Sequence, residues 1–158
     1  APEQAPDILR SIQEISGAGI TEVRAIVAAL RSDDIPDTMD MSDVIRRFHD
    51  SGLDVTARID PLTDLPIRLR LASHRIVTET LVNVVKHQEN PQVTVDIAVG
   101  EGVTITVVSH GPKKPDSSGS GVGLPSLDER AQAVGGTFEF AFDGYTATTI
   151  AQLPRETP

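Results

Sequence analysis

HRIVTETLVNVVKH, residues 74–87, reads as one amphipathic helix that carries polar groups where an apolar helix has no use for them. Ile76, Leu81, Val84 and Val85 recur at helical spacing and supply a core-facing side, with Val77 close to it. Glu79 and Asn83 stand one helical turn apart and so share a face. Lys86 and His87 follow a turn later, which gathers a carboxylate, an amide and a cation at one end of the helix. A carboxamide oxygen can ligate magnesium, a carboxylate can orient a water or a hydroxyl, and a lysine can meet phosphate. A glycine-rich loop, GSGVGL at residues 119–124, lies downstream. Glycine at alternate positions before a helix suits close backbone approach to phosphate. The two segments together read as a site for the phosphates of a nucleotide.

Composition bounds what surrounds that site. The chain has 158 residues, which fits one compact domain with a modest appendage. Apolar residues make up 39% and aromatics only 3%, so the core is built from Val, Ile, Leu and Ala. A net charge of −9 argues against a nucleic-acid partner. The absence of cysteine excludes disulfides, thiolate metal sites and thiol nucleophiles. No segment has the apolar length of a membrane span, and no signal peptide is visible, so a soluble chain is expected. The opening APEQAP reads as the cut edge of a longer protein.

Outward from the central helix, residues 7–31 show Ile8, Ile12, Ile15, Val23, Ile26, Val27 and Leu30 at helical spacing, interrupted by Gly17 and Gly19. SDDIPD at residues 32–37 is linker chemistry, followed by a short helix around residues 41–50 and a strand at 53–59. PLTDLP at 61–66 is a turn into the central helix. Residues 93–99 and 103–108 alternate across GEG as a hairpin, and residues 137–142 and 146–153 form a second across DGY. A helix from about residue 125 to 134 stops at Gly135 and Gly136. This order suits an α+β two-layer sandwich: a mixed, mostly antiparallel sheet with helices on one face, plus an N-terminal helix.

The central stretch resembles the N-box of sensor histidine kinases, and GSGVGLPSLDERAQAVGG (residues 119–136) resembles their glycine-rich ATP-lid motif. FEFAFDGYTATTIAQLP looks like the terminal hairpin of the same domain. The run from Gly123 to Arg130 is similar to the subgroup that pairs with LuxR/NarL-type response regulators, and ITEVRAIVAALRSDD (residues 20–34) looks like its second dimerisation helix. The resemblance implies a Bergerat-type ATP-binding fold, with residues 1–34 a partial dimerisation helix and 35–158 the ATP-binding catalytic domain. In that reading Asn83 ligates Mg2+, Glu79 polarises the reaction centre, and Lys86 and His87 approach the phosphates of ATP. The amides of Gly119, Gly121 and Gly123, with neighbours Val122 and Leu124, close on those phosphates. Thr148 is a further contact to phosphate or ring.

Three departures qualify the likeness. In VVSHGP (residues 107–112), ahead of Gly111, Ser109 stands where the family carries the acid that reads the adenine amino group. Serine loses the charge-assisted part of that contact. His74 stands where an aromatic is usual. The phosphoacceptor histidine's helix is missing; His49, in RRFHDSG, imitates its motif but reads as a surface linker residue. The implied partners are therefore ATP, the parent's own dimerisation and phosphoacceptor domain, and a LuxR/NarL-type response regulator. A cytoplasmic location is implied, in a homodimeric parent anchored at a membrane that this fragment does not touch.

Each residue also has a plainer role. Asn83 can point at solvent, Lys86 can be a solvated lysine, and His87 can sit at the helix end for its dipole. Lys113 and Lys114 read as lid-surface charges, and Arg130 is left outside the site. Besides the kinase reading, a degenerate nucleotide-sensing or interaction module of the same fold and an anti-sigma-type serine kinase are carried forward.

Overall fold

The computed structural model describes residues 40–115 and 123–156. The expected N-terminal helix, and with it the division at residue 34, lies outside the described residues, as do Gly119, Gly121 and Val122.

Helix α1 spans Met41–Asp50 and is started by Asp40, whose carboxylate accepts the Ser42 amide at 3.2 Å. Its apolar stripe of Met41, Val44, Ile45 and Phe48 is buried. The chain leaves it through Gly52 at φ 113°, a backbone state that glycine takes without steric cost. His49 is exposed in its last turn, with its Nδ1 3.7 Å from Asp50 Oδ1. Strand β1 (Asp54–Ile59) follows, and then helix α2, Ile67–His87, begins directly after Pro66. Strands β2 (Gln92–Val99) and β3 (Gly102–His110) form the first hairpin. Helix α3 (Gly123–Ala133) and the hairpin of β4 (Thr137–Phe142) and β5 (Thr146–Pro154) complete the described residues.

The five strands form one sheet in the order β1-β2-β3-β5-β4. Only β1 and β2 run parallel, and α2 is the crossover that a parallel pair requires. The helices share one face, with α1 against β1, α2 against β3 and α3 against β4. This is the expected two-layer α+β sandwich with a mixed, mostly antiparallel sheet. Strand alternation sends Val93, Val95, Ile97, Val103, Ile105, Val107, Ala151 and Leu153 into the interface with the helices. They meet Leu69, Ile76, Val77, Leu81, Val84 and Val85 of α2, and Leu127 and Ala131 of α3. The apolar side of the central stretch is thus its core side. What remains of α2 carries the polar set.

Candidate functional site

Glu79 and Asn83 lie one turn apart on α2, both partly buried, beside α3. Arg130 of α3 brings its Nε within 2.8 Å of Glu79 Oε2. Among the described residues neither atom has an aligned hydrogen-bond partner, so this contact is Coulombic rather than a linear hydrogen bond. Glu79 is largely covered while Arg130 keeps 40% of its side chain exposed, so solvent weakens the pair. The pairing ties the helix that follows the glycine-rich loop to the carboxylate on α2. Sequence reading missed Arg130, although it ends the Gly123–Arg130 motif.

The C-terminal end of α2 is closed by a short strap. Glu89 donates its amide to Pro112 O at 2.8 Å, and Lys114 donates its amide to His87 O at 2.8 Å. Lys114 Nζ donates to Val85 O at 2.7 Å. Last-turn carbonyls with no partner in the helix are satisfied in this way. The strap also collects charge. His87 is held below its usual pKa, first by burial and then by Lys86, Lys113 and Lys114 around it. Burial likewise lowers the Lys114 amine, with Glu89 opposing. In an acidic chain, three lysines gather at this corner with Glu89 beside Lys114, so its balance is cationic. Lys113 is exposed, as a surface charge would be, whereas Lys114 is partly buried and tied to Val85 O.

Ser109 sits at the end of β3 nearest the strap, fully buried. Its hydroxyl donates to Gln88 Oε1 at 2.5 Å. Gln88, the residue after α2, is also buried, and its Nε2 donates to Gly111 O at 2.9 Å and Tyr145 O at 3.0 Å. A longer contact at 3.4 Å reaches Ser109 O. One carboxamide therefore joins α2, β3 and the start of β5. Gly111 donates its own amide to Tyr145 O at 2.9 Å, so both its backbone groups are committed. Its lack of a side chain is needed because a Cβ there would stand 2.7 Å from Glu89 O. Gly111 thus serves the packing of this corner. His74 is buried in α2.

Register places Thr148 apart from the helix-facing residues of β5. Ala147 and Thr149 are the buried residues at the start of β5, and Thr148 alternates to the face away from the helices. The inward hydroxyl of that strand is Thr149, only 4% exposed. Leu124, at the start of α3, packs against the core as a partly buried residue. Gly123 is the first residue of α3.

Asn83 and Glu79 could contribute oxygens to a magnesium ion held mainly through phosphate. Among the described residues no group of three or more His, Cys, Asp or Glu could hold a metal ion. Asn83 and Glu79 offer side-chain oxygens one turn apart, and magnesium accepts few protein oxygens when phosphates and waters complete its octahedron. An open depression of about 630 Å³ lies at the opposite end of the sheet, around Gly100, Gly102, Gly136 and Pro154, and contains none of these residues. No described helix is long and apolar enough to cross a membrane.

No family model matches the sequence, and no curated protein matches it. The likeness appears in solved structures. The histidine kinase domain of the blue-light activated histidine kinase EL346 from Erythrobacter litoralis aligns with 96% of this chain and 79% of its own, at TM-score 0.59 and 16% identity. In the longer chain of that kinase this sequence spans only 39% of the length. The catalytic domain of histidine kinase ThkA, nucleotide-free, aligns over 88% of this chain and 94% of its own, at TM-score 0.51 and 12% identity. Full-length ShkA in complex with AMPPNP aligns over 89% of this chain and 35% of its own, at TM-score 0.52 and 20% identity. At these identities the likeness carries the fold: that of histidine kinase catalytic, ATP-binding domains.

Proposed function

We propose that this chain is the ATP-binding catalytic domain of a two-component sensor histidine kinase. It would position Mg-ATP for phosphoryl transfer to a histidine on a dimerisation helix. The observation that carries the reading is the cluster on α2 and its neighbours: Glu79 and Asn83 one turn apart, Arg130 on the carboxylate, and Lys86, His87, Lys113 and Lys114 at the helix end. It occurs in a fold shared with kinase catalytic domains.

Asn83 would hold magnesium, and the lysines would neutralise phosphate charge. Magnesium would supply charge neutralisation at the phosphates, which is most of what phosphoryl transfer asks of a site. Glu79, oriented by Arg130, would polarise the attacking imidazole. The amides of Gly119, Gly121 and Gly123, with Val122 and Leu124 beside them, would close over the phosphates. Residues 1–34 would supply part of the second dimerisation helix, placing the domain in a cytoplasmic homodimer. The Gly123–Arg130 motif favours a LuxR/NarL-type response regulator as the downstream partner.

A degenerate, nucleotide-sensing module is the second reading. The enclosed Ser109–Gln88 pair favours it, because no side chain there presents the acid expected at adenine. Calorimetry with Mg-ATP on this chain and on Asn83→Ala separates the two. Binding that is lost in the variant supports the catalytic domain. No binding at millimolar ATP by a folded parent chain refutes it and leaves the degenerate module.

A further inference from the structure

Among the described residues β1 and β4 are the two edges of the sheet, and they are built differently. β1 (DVTARI) carries Asp54 and Arg58, and Arg58 lies 3.0 Å from Asp60 and 3.2 Å from Asp96. Charged side chains of this kind discourage a further strand from pairing. β4 (TFEFAF) has Glu139 as its one charge and neither lysine nor proline. Its aromatics all stand on one side: Phe138, Phe140 and Phe142 are opposite Ala151, Thr149 and Ala147, the buried residues of β5. That is the side on which α3 packs, yet Phe140 keeps 42% of its surface exposed.

The backbone turns the same residues outward. Asp143 donates its amide to Thr146 O across the turn at 3.2 Å. Hydrogen bonding alternates along an antiparallel strand, so Ala141, Glu139 and Thr137 direct their amides and carbonyls to β5. Phe138, Phe140 and Phe142 direct theirs to the open edge. One set of residues therefore offers both backbone groups and aromatic surface to an added strand.

The strand is also its own complement. Two copies set antiparallel about a twofold axis at Phe140 place Phe138 across from Phe142 and Phe140 across from itself. Glu139 then faces Ala141. An axis at Glu139 would oppose two carboxylates and take Phe142 to Gly136, which has no side chain. An axis at Ala141 would set Glu139 against Asp143. Glu139 thus selects the register that brings the aromatics together.

We propose that β4 is the docking edge for a second copy of this chain, the two strands pairing antiparallel about Phe140 into one continuous sheet. Six-residue edges bury less than the roughly 1,200 Å² of a standard stable interface, so the pair is weak. Each copy carries a charge of −9, so repulsion opposes the pairing and salt relieves that repulsion. Nucleotide binding is not required.

The test is sedimentation equilibrium of the whole chain from about 10 µM to about 1 mM, at low and high salt. The expected result is a mass that climbs toward the dimer, more steeply at high salt. Phe140→Lys should raise the dimer dissociation constant by about tenfold or more, although it lowers the repulsion between copies. Hydrogen exchange followed by NMR reads the edge without a substitution. The amides of Phe138, Phe140 and Phe142 should slow as concentration rises, and those of β1 should not. A monomer throughout overturns the pairing. So does association that a folded Phe140→Lys variant keeps, or association that weakens with salt. Should the variant fail to fold, the exchange pattern decides: slowing at the three phenylalanines upholds the pairing, and slowing elsewhere or none overturns it.

Discussion

At one end of the site, Glu79, Asn83 and Lys86 keep part of their surface in water; at the other, Ser109 and Gln88 are sealed under the strap. Both ends are polar, and both stand on the same helix and its neighbours. They differ in where their hydrogen bonds go. The sealed end has used its capacity on the fold, joining α2, β3 and the start of β5 through one carboxamide. The open end has spent little of its capacity, apart from the Glu79–Arg130 contact. A polar group already paired inside the protein contributes to stability; one left open is available to a ligand. Substitutions at the two ends should therefore fail in different assays.

The largest effect is expected at the sealed end. Gln88→Ala strips partners from the Ser109 hydroxyl and from the carbonyls of Gly111 and Tyr145, and should cost about 3 kcal/mol in chemical denaturation. A loss well below that would mean water replaces the carboxamide, and the distinction between the ends would blur. Asn83→Ala should behave in the opposite way. Nucleotide affinity should fall by at least about tenfold, or ~1.4 kcal/mol, in calorimetry. Stability should hold or rise by about 0.5 kcal/mol, since alanine is the better residue inside a helix.

Arg130→Ala removes a half-exposed partner of Glu79 and should cost about 1 kcal/mol of stability, with Arg130→Lys recovering part of it. The smallest effect is in pH dependence. The folded pKa of His87 is depressed below its usual value of 6.5, so the unfolded chain binds its proton more readily. The contribution is fully present above 6.5 and is lost as pH falls from there through the folded pKa. Bound phosphate opposes the lysine charges that depress it, so the His87 titration followed by NMR should move upward when Mg-nucleotide is added. An unmoved titration would place the anion elsewhere.

Much of this was legible because it is periodic. Apolar spacing gives the core side of α2, and alternation across GEG and DGY gives the hairpins, which together fix the layer order. The first turns of α2, from Ile67, were less visible, although Pro66 is a start signal. Thr148 could not be oriented from sequence, because threonines at 146, 148 and 149 blur the alternation that register decides. Gln88 and Arg130 were invisible for another reason. Their partners are 21 to 57 residues away for Gln88 and on a different helix for Arg130, and no local pattern encodes such contacts. The substitution at Ser109 was legible; the reason a serine is accommodated there emerged only with Gln88.

The most direct measurement is amide chemical-shift mapping of the chain titrated with Mg-ATP. The expected result is saturable shifts along residues 79–87, at Lys113 and Lys114 and at Arg130, with Gly100–Thr104 at the far end of the sheet silent. Shifts centred on that far end, or none at millimolar nucleotide, would contradict a phosphate site on α2.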